Sequence, residues 1–145
     1  MSLADLPLPP LQLASRVGSL EEADDPWSVY DALGQATTHD LLAALPDGYS
    51  LDGRRVLDFG CGAGRTLRHL AGEGRPGEFC GCDFGAGSVA WLEENLSPPI
   101  HPFHNGELPP LDQPDEMFDL VYCVSVFTHL SRSWSAWLLQ VHRVL

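Results

Sequence analysis

The segment from Arg55 to Leu70 constrains the chain more than any other, because it passes from a strand through a glycine-studded turn into a helix. Val56, Leu57 and Phe59 form an apolar run broken only by Asp58, the pattern of a short strand covered on both faces in a parallel sheet. Gly60, Gly62 and Gly64 follow at alternate positions. Glycine accepts positive φ and has no Cβ, so such a turn can reverse sharply and bring a ligand against bare main chain. Leu67, Leu70 and Ala71 then lie on one face of a helix. The amides at the start of that helix point into the turn and favour a polar or anionic group there.

A nucleotide-type ligand is the reading this turn favours, against a tight turn that binds nothing. Dinucleotide sites use Gly-x-Gly-x-x-Gly, in which the additional residue makes room for a pyrophosphate. Here the third glycine comes one residue early, and Arg65 stands where that pattern has Gly or Ala. Asp58 sits two positions before the first glycine, where a carboxylate meets a cationic group better than a diphosphate. The run Asp58-Phe59-Gly60-Cys61-Gly62-Ala63-Gly64 resembles motif I of the class I S-adenosylmethionine-dependent methyltransferases, Asp/Glu-x-Gly-x-Gly-x-Gly. The resemblance implies S-adenosyl-L-methionine as cofactor, a ligand whose ammonium and sulfonium suit an acidic pocket. It also implies a Rossmann-like α/β fold, a mostly parallel sheet with helices on both faces, and cofactor contacts from Asp58, Gly60, Cys61, Gly62 and Gly64.

The chain has 145 residues, enough for one domain with a sizeable core, and its 44% hydrophobic and 19% charged residues are those of a globular protein. A net charge of -12 repels a phosphate backbone and argues against a nucleic-acid substrate. No apolar run reaches membrane-spanning length, and Met1 to Pro10 lacks the basic start and apolar core of a signal peptide, so the expected location is the cytoplasm. Cys61, Cys80, Cys82 and Cys123 fall in or beside expected buried strands without zinc spacing. They read as reduced core thiols, and no metal site is expected.

Residues 1–25, with Pro7, Pro9, Pro10 and the acids Glu21, Glu22, Asp24 and Asp25, read as a flexible arm with little fixed structure. Residues 26–145 then form the cofactor-binding domain. Asp25-Pro26 signals a helix start. Trp27, Tyr30, Leu33, Leu41, Leu42 and Leu45 follow at helical intervals, with Gly34 a weak point and Pro46-Asp47-Gly48 the stop. Past the central turn, residues 72–77 read as a loop and Glu78 to Phe84 as the second strand. That strand delivers Asp83 at its end, about 20 residues after the glycines, where an acid can accept hydrogen bonds from both hydroxyls of a ribose. A cap carboxylate before Gly85 is the bland alternative for the same residue.

The family resemblance extends along the rest of the chain. An acid at the position of Asp83 is the family's second signature, and Phe84 stands where the family has an apolar neighbour of the adenine. Ser88 reads as a cap for a helix carrying Val89, Leu92 and Leu96. Ile100 to His104 is a short third strand, marked as an edge by Pro102. Asn105-Gly106-Glu107-Leu108-Pro109 resembles the family's Asp-x-x-x-Leu-Pro, which implies adenine contacts at Asn105 and Gly106, an amide oxygen being able to accept in place of a carboxylate. Met117 to Ser125 reads as the fourth strand, and Phe118-Asp119-Leu120-Val121 resembles the family's strand-four signature. The resemblance puts Cys123 to Phe127 beside the methionine part of the cofactor. His129 is the candidate general base, weighed against a histidine that merely holds its loop. Ser131 to Leu145 reads as an amphipathic helix with Trp134, Trp137, Leu138, Val141, Val144 and Leu145 on one face.

The family has seven strands and this sequence supplies four, so the reading is of a fold whose C-terminal strands are missing, with strand four left at an open edge. The function expected from the resemblance is methyl transfer to a small-molecule acceptor, without nucleic acid or membrane as partner and with the oligomeric state open. An NAD(P)-type dinucleotide domain and a non-catalytic nucleotide-binding or interaction module are the alternatives.

Overall fold

The structure is a computed structural model that describes residues 6–17, 20–72 and 74–145. The expectations for residues 1–5, for Gly18 and Ser19 in the arm and for Glu73 in the loop lie outside the described residues. Four parallel strands, β1 (Arg55–Phe59), β2 (Glu78–Asp83), β3 (Ile100–His104) and β4 (Leu120–Tyr122), form one sheet in the order β3-β2-β1-β4. The helices are α1 (Leu11–Ala14), α2 (Pro26–Ala44), α3 (Leu67–Ala71), α4 (Ala86–Asn95) and α5 (Trp134–Val144). This is the Rossmann-like arrangement expected from the sequence. Among the described residues no helix is long and apolar enough to cross a membrane.

The pleat of β1 explains the layering. Successive side chains on a strand point to opposite faces, so Val56 joins one core with Leu67, Leu70, Leu92 and Leu96, while Leu57 and Phe59 join the other with Trp137 and Val144. β2 alternates in the same way, with Phe79 on the first face and Cys80 and Cys82 on the second. Helices α3 and α4 therefore cover one face and α5 the other. A strand buried on both faces has no polar side, which is why these strands carry so few polar residues.

Three expectations are revised by packing. Helix α2 runs unbroken through Gly34, because that glycine lies where α2 crosses the central turn; a Cβ built there would collide with the Arg65 carbonyl oxygen and lie 2.7 Å from His69 Cδ2. Ser88 does not cap α4. The helix begins earlier, after Gly85, and the fully buried Ser88 hydroxyl accepts from Arg16 at 2.9 Å. The fourth strand is shorter than Met117 to Ser125. Its approach is held elsewhere, Glu116 and Phe118 donating to the Arg143 and Val144 carbonyls at the end of α5, and Ser125 turns the chain away at φ 58°.

The N-terminal arm also differs from the expectation of little fixed structure. Leu11–Ala14, Ser15–Val17 and Leu20–Glu22 are short helical turns, with Ala14 and Leu20 buried against Tyr30 of α2. Arg68 donates to the Leu6 and Pro7 carbonyls at 2.9 and 3.1 Å, tying the arm to α3. Scattered apolar residues in a proline-rich, acidic stretch lack periodicity, so a pattern reading passes over them. The expected helix start at Asp25-Pro26 is present, with Asp25 Oδ1 accepting from the Ser28 amide at 3.1 Å.

Helix propensity and packing make opposite predictions at Gly34. Propensity alone gives Gly34→Ala a gain of about 1 kcal/mol, whereas the collision with main chain gives a loss of about 1 to 3 kcal/mol. A lowered urea midpoint is expected, and a raised one would show that α2 does not press on the turn.

Candidate cofactor-binding site

A cleft of about 650 Å³ opens at the C-terminal ends of the strands. In open parallel sheets this is where loops diverge and ligands lie. The central turn forms its floor. The amides of Gly60 and Cys61 both donate to the Cys82 carbonyl, at 2.8 and 2.9 Å, so the turn is pinned to the end of β2. Gly62, at φ 54°, would present a Cβ with nothing within 4 Å. Main chain is thus laid bare to the cleft at Gly62, and a side chain there would fill space that a ligand can use.

Asp83 stands at the end of β2 and is buried. Its Oδ2 accepts from the Gly62 amide at 2.9 Å and its Oδ1 from the Gly85 amide at 2.7 Å. A carboxylate offers about four acceptor sites, so lone pairs remain on the cleft side. One oxygen lies 3.6 Å from the Arg16 guanidinium, which also sits 5.5 Å from the Phe84 ring centre. Phe84 is 53% exposed, a large apolar face left open at the cleft. Asn105 and Gly106 line the same end. Asn105 Nδ2 donates to the Gly106 carbonyl at 2.8 Å, while its buried Oδ1 has no partner among the described residues. An unsatisfied buried acceptor is uncommon, and a donor supplied by a ligand would satisfy this one.

Of the cofactor residues expected from the sequence, the cleft brings together Gly60, Gly62, Asp83, Phe84, Asn105 and Gly106. Asp58, Cys61, Gly64 and Cys123 do not line it. Asp58 is buried beneath the turn, where its Oδ2 accepts from the Tyr122 hydroxyl at 3.0 Å. Cys61 packs inward against Gly81, and Gly64 against Leu92. Cys123 is exposed, which corrects its reading as a core thiol; the cleft wall after β4 is formed by Val124, Ser125 and Val126. Burial pushes the thiols of Cys61, Cys80 and Cys82 up, Cys80 to about 11, so they stay protonated. His129 does line the cleft, in the 3₁₀ turn Phe127–His129. The loop is held by the His129 amide to the Val126 carbonyl and by the Thr128 hydroxyl to the Ser125 carbonyl; among the described residues no hydrogen bond from the His129 imidazole is found.

Some cleft residues lie outside the motifs: Arg16 arrives from the arm and Trp137 from α5, while Glu107, at an unspecified position within the Asn105–Pro109 motif, comes from the loop after β3. Trp137 serves as core and wall together, its ring centre 5.0 Å from that of Phe59 and its indole N–H 3.4 Å from the Glu107 carbonyl. The signal that could have found it is its place on the apolar stripe of α5; nothing in the sequence foretells Arg16. Val126 presses on Gly60 closely enough that a Cβ there would clash, so the loop after β4 sits directly on the turn.

Residues 56–145 match a family model described as a methyltransferase domain. The fatty-acid O-methyltransferase of Mycolicibacterium smegmatis is 32% identical over 95 residues, which cover 66% of this chain and 34% of that protein. An S-adenosylmethionine-dependent methyltransferase structure from Mesorhizobium loti superposes with a TM-score of 0.59 at 25% identity, over 74% of this chain and 47% of that one. Phosphoethanolamine N-methyltransferase 1 of Haemonchus contortus, solved with phosphoethanolamine and S-adenosylhomocysteine, gives 0.64 at 22% identity over 93% and 29%. The chain spans about a third of the curated relative's length and less than half of either structure.

Asp58 has a consequence for stability. Burial pushes its carboxyl up to about 7, against the opposing Tyr122 hydrogen bond. In the unfolded chain such a group titrates near 3.9. Between about pH 4 and 7 the native state therefore holds a proton that the unfolded chain has lost, and stability falls as pH rises through that interval. Asp58→Asn keeps an acceptor for Tyr122 and removes this titration. Denaturant unfolding should show the variant gaining on the parent from pH 4 to pH 8, by at most about 4 kcal/mol. A difference that stays flat with pH would mean that Asp58 remains ionised.

Proposed function

This chain belongs to the methyltransferase-domain family, and on that premise we propose that it binds S-adenosylmethionine over Gly62 and directs methyl transfer to a small-molecule acceptor. The observation that carries the reading is the bare main chain at Gly62 held beside the Asp83 carboxylate. When bound, the cofactor supplies a methyl group on a positively charged sulfur, open to in-line attack by a nucleophile.

The chain's own groups would bind and align. Asp83 has lone pairs for ribose hydroxyls after satisfying two amides. The open ring of Phe84 offers an apolar face to a flat base, and the unpartnered Asn105 Oδ1 an acceptor for an exocyclic amine. Cleft residues that belong to neither the adenine nor the ribose end include Val124, Val126, Leu130 and Trp137, an apolar wall that keeps water from the transfer. The likeness to a fatty-acid O-methyltransferase favours an oxygen nucleophile. A carboxylate is already ionised near neutrality, so such an acceptor needs no general base, and His129 would then be a wall residue. The overall charge of -12 supports a small acceptor over nucleic acid.

Isothermal titration with S-adenosylhomocysteine is expected to show binding to the parent protein and none with NAD. Asp83→Asn should weaken it by about 1 to 3 kcal/mol, the range for losing hydrogen bonds to a charged acceptor. Equal affinity in parent and variant would remove Asp83 from the site, and preferential binding of NAD would overturn the cofactor.

A further inference from the structure

Among the described residues Arg16 is the one that the N-terminal arm contributes to the cleft. Its Nη1 donates to the buried Ser88 hydroxyl at 2.9 Å, and its Nη2 lies 3.6 Å from Asp83 Oδ1. The first contact is a hydrogen bond; the second is too long for one and acts through charge. Gly85 makes room for the guanidinium. Its φ of -78° is open to any residue, so conformation does not call for glycine there. Space does: a Cβ on Gly85 would collide with Arg16 Nη1 and lie 2.9 Å from Asp83 Oδ1. The guanidinium therefore has a fitted seat at the end of β2, with Ser88 of α4 as its anchor.

That seat is where a sugar has to enter. A carboxylate offers about four acceptor sites. The Gly62 and Gly85 amides fill two of those on Asp83, and a ribose donating from both hydroxyls would fill the rest. No site would then be left to face Arg16. In the structure, however, the Asp83 side chain is only 7% exposed, with the guanidinium beside Oδ1. Phe84 is treated differently. Arg16 lies 5.5 Å from its ring centre, yet the residue remains 53% exposed. The place of the sugar is obstructed, and that of the base is open.

We infer that Arg16 is an autoinhibitory placeholder, a counter-charge that attends Asp83 in the empty cleft and has to swing aside before a ribose can bind. This rests on the S-adenosylmethionine reading. The arm itself stays where it is, with Ala14 and Leu20 against Tyr30 and the Leu6 and Pro7 carbonyls held by Arg68. Only the Arg16 side chain moves, and at 38% exposure it has open space to move into. A buried carboxylate is costly without an opposing charge, so Arg16 stabilises the empty cleft and opposes the filled one. An arm that simply closed over its ligand would have the opposite effect and tighten binding.

Calorimetric titration with S-adenosylhomocysteine, which carries no net charge near neutrality, tests the sign. Arg16→Ala should bind about two- to fivefold more tightly than the parent, the span of a partly exposed ion pair. High sodium chloride screens that pair, so the parent should gain affinity with salt and the advantage of Arg16→Ala should shrink below about twofold. Weaker or unchanged binding by Arg16→Ala overturns the inference. An advantage that persists undiminished at high salt overturns it too, and either result leaves the cofactor reading standing. If Arg16→Ala does not fold, Arg16→Gln decides by the same two comparisons, since it keeps an amide donor for Ser88 and removes the charge. A parent protein that binds no S-adenosylhomocysteine overturns the cofactor reading and the inference with it.

Discussion

The two hydrogen bonds received by Asp83, from Gly62 at 2.9 Å and Gly85 at 2.7 Å, hold the architecture of the cleft together. They join the turn after β1 to the loop after β2, the two segments that must stay apart for a ligand to enter and in register for it to be gripped. A buried carboxylate is costly unless its oxygens are satisfied. The amides satisfy two of its acceptor sites from behind and leave the others for the front. The same pair of bonds explains why Gly62 can lie bare: its amide is occupied, so the exposed backbone presents no orphaned donor.

The remaining geometry follows from a sheet buried on both faces. Because α3 and α4 cover one side and α5 the other, main chain from adjacent strands meets open space at the strand ends, and the cleft lies at the C-terminal ends. The turn is then compressed from both sides, by Val126 of the loop after β4 against Gly60 and by Leu92 of α4 against Gly64, and glycine is required at these positions for packing as much as for turning. Only Gly62 of the three faces the cleft with room to spare. Three glycines that look equivalent in the sequence therefore carry different burdens.

Charge is distributed against the average. The chain is strongly acidic, yet its cleft holds two arginines, Arg16 near Asp83 and Arg65 beside the turn. Arg16 shows how the arm takes part: a segment that reads as unstructured packs on Tyr30 and sets a guanidinium between Ser88 and Phe84. Asp58 shows the reverse. A motif acid that seems poised to meet a ligand is sealed under the turn by Tyr122, and burial raises its pKa to about 7.

What the sequence determined by itself was whatever depends on local spacing. The apolar run of β1, the alternate glycines, the acid closing β2 and the stripe on α5 each encode an element through its own period, and those elements could assemble in few ways. Hence the sheet, its edge strand β3 and the grouping of Gly62, Asp83, Phe84 and Asn105 were legible. Tertiary structure alone decided which side of each element meets which neighbour. It kept α2 straight at Gly34 by pressing it on Arg65, took Ser88 from capping to bonding with Arg16, ended β4 early at the turn on Ser125, and drew Trp137 into the cleft wall. Those outcomes depend on contacts between residues far apart in the chain, and a local pattern holds no information about a partner that only folding brings near.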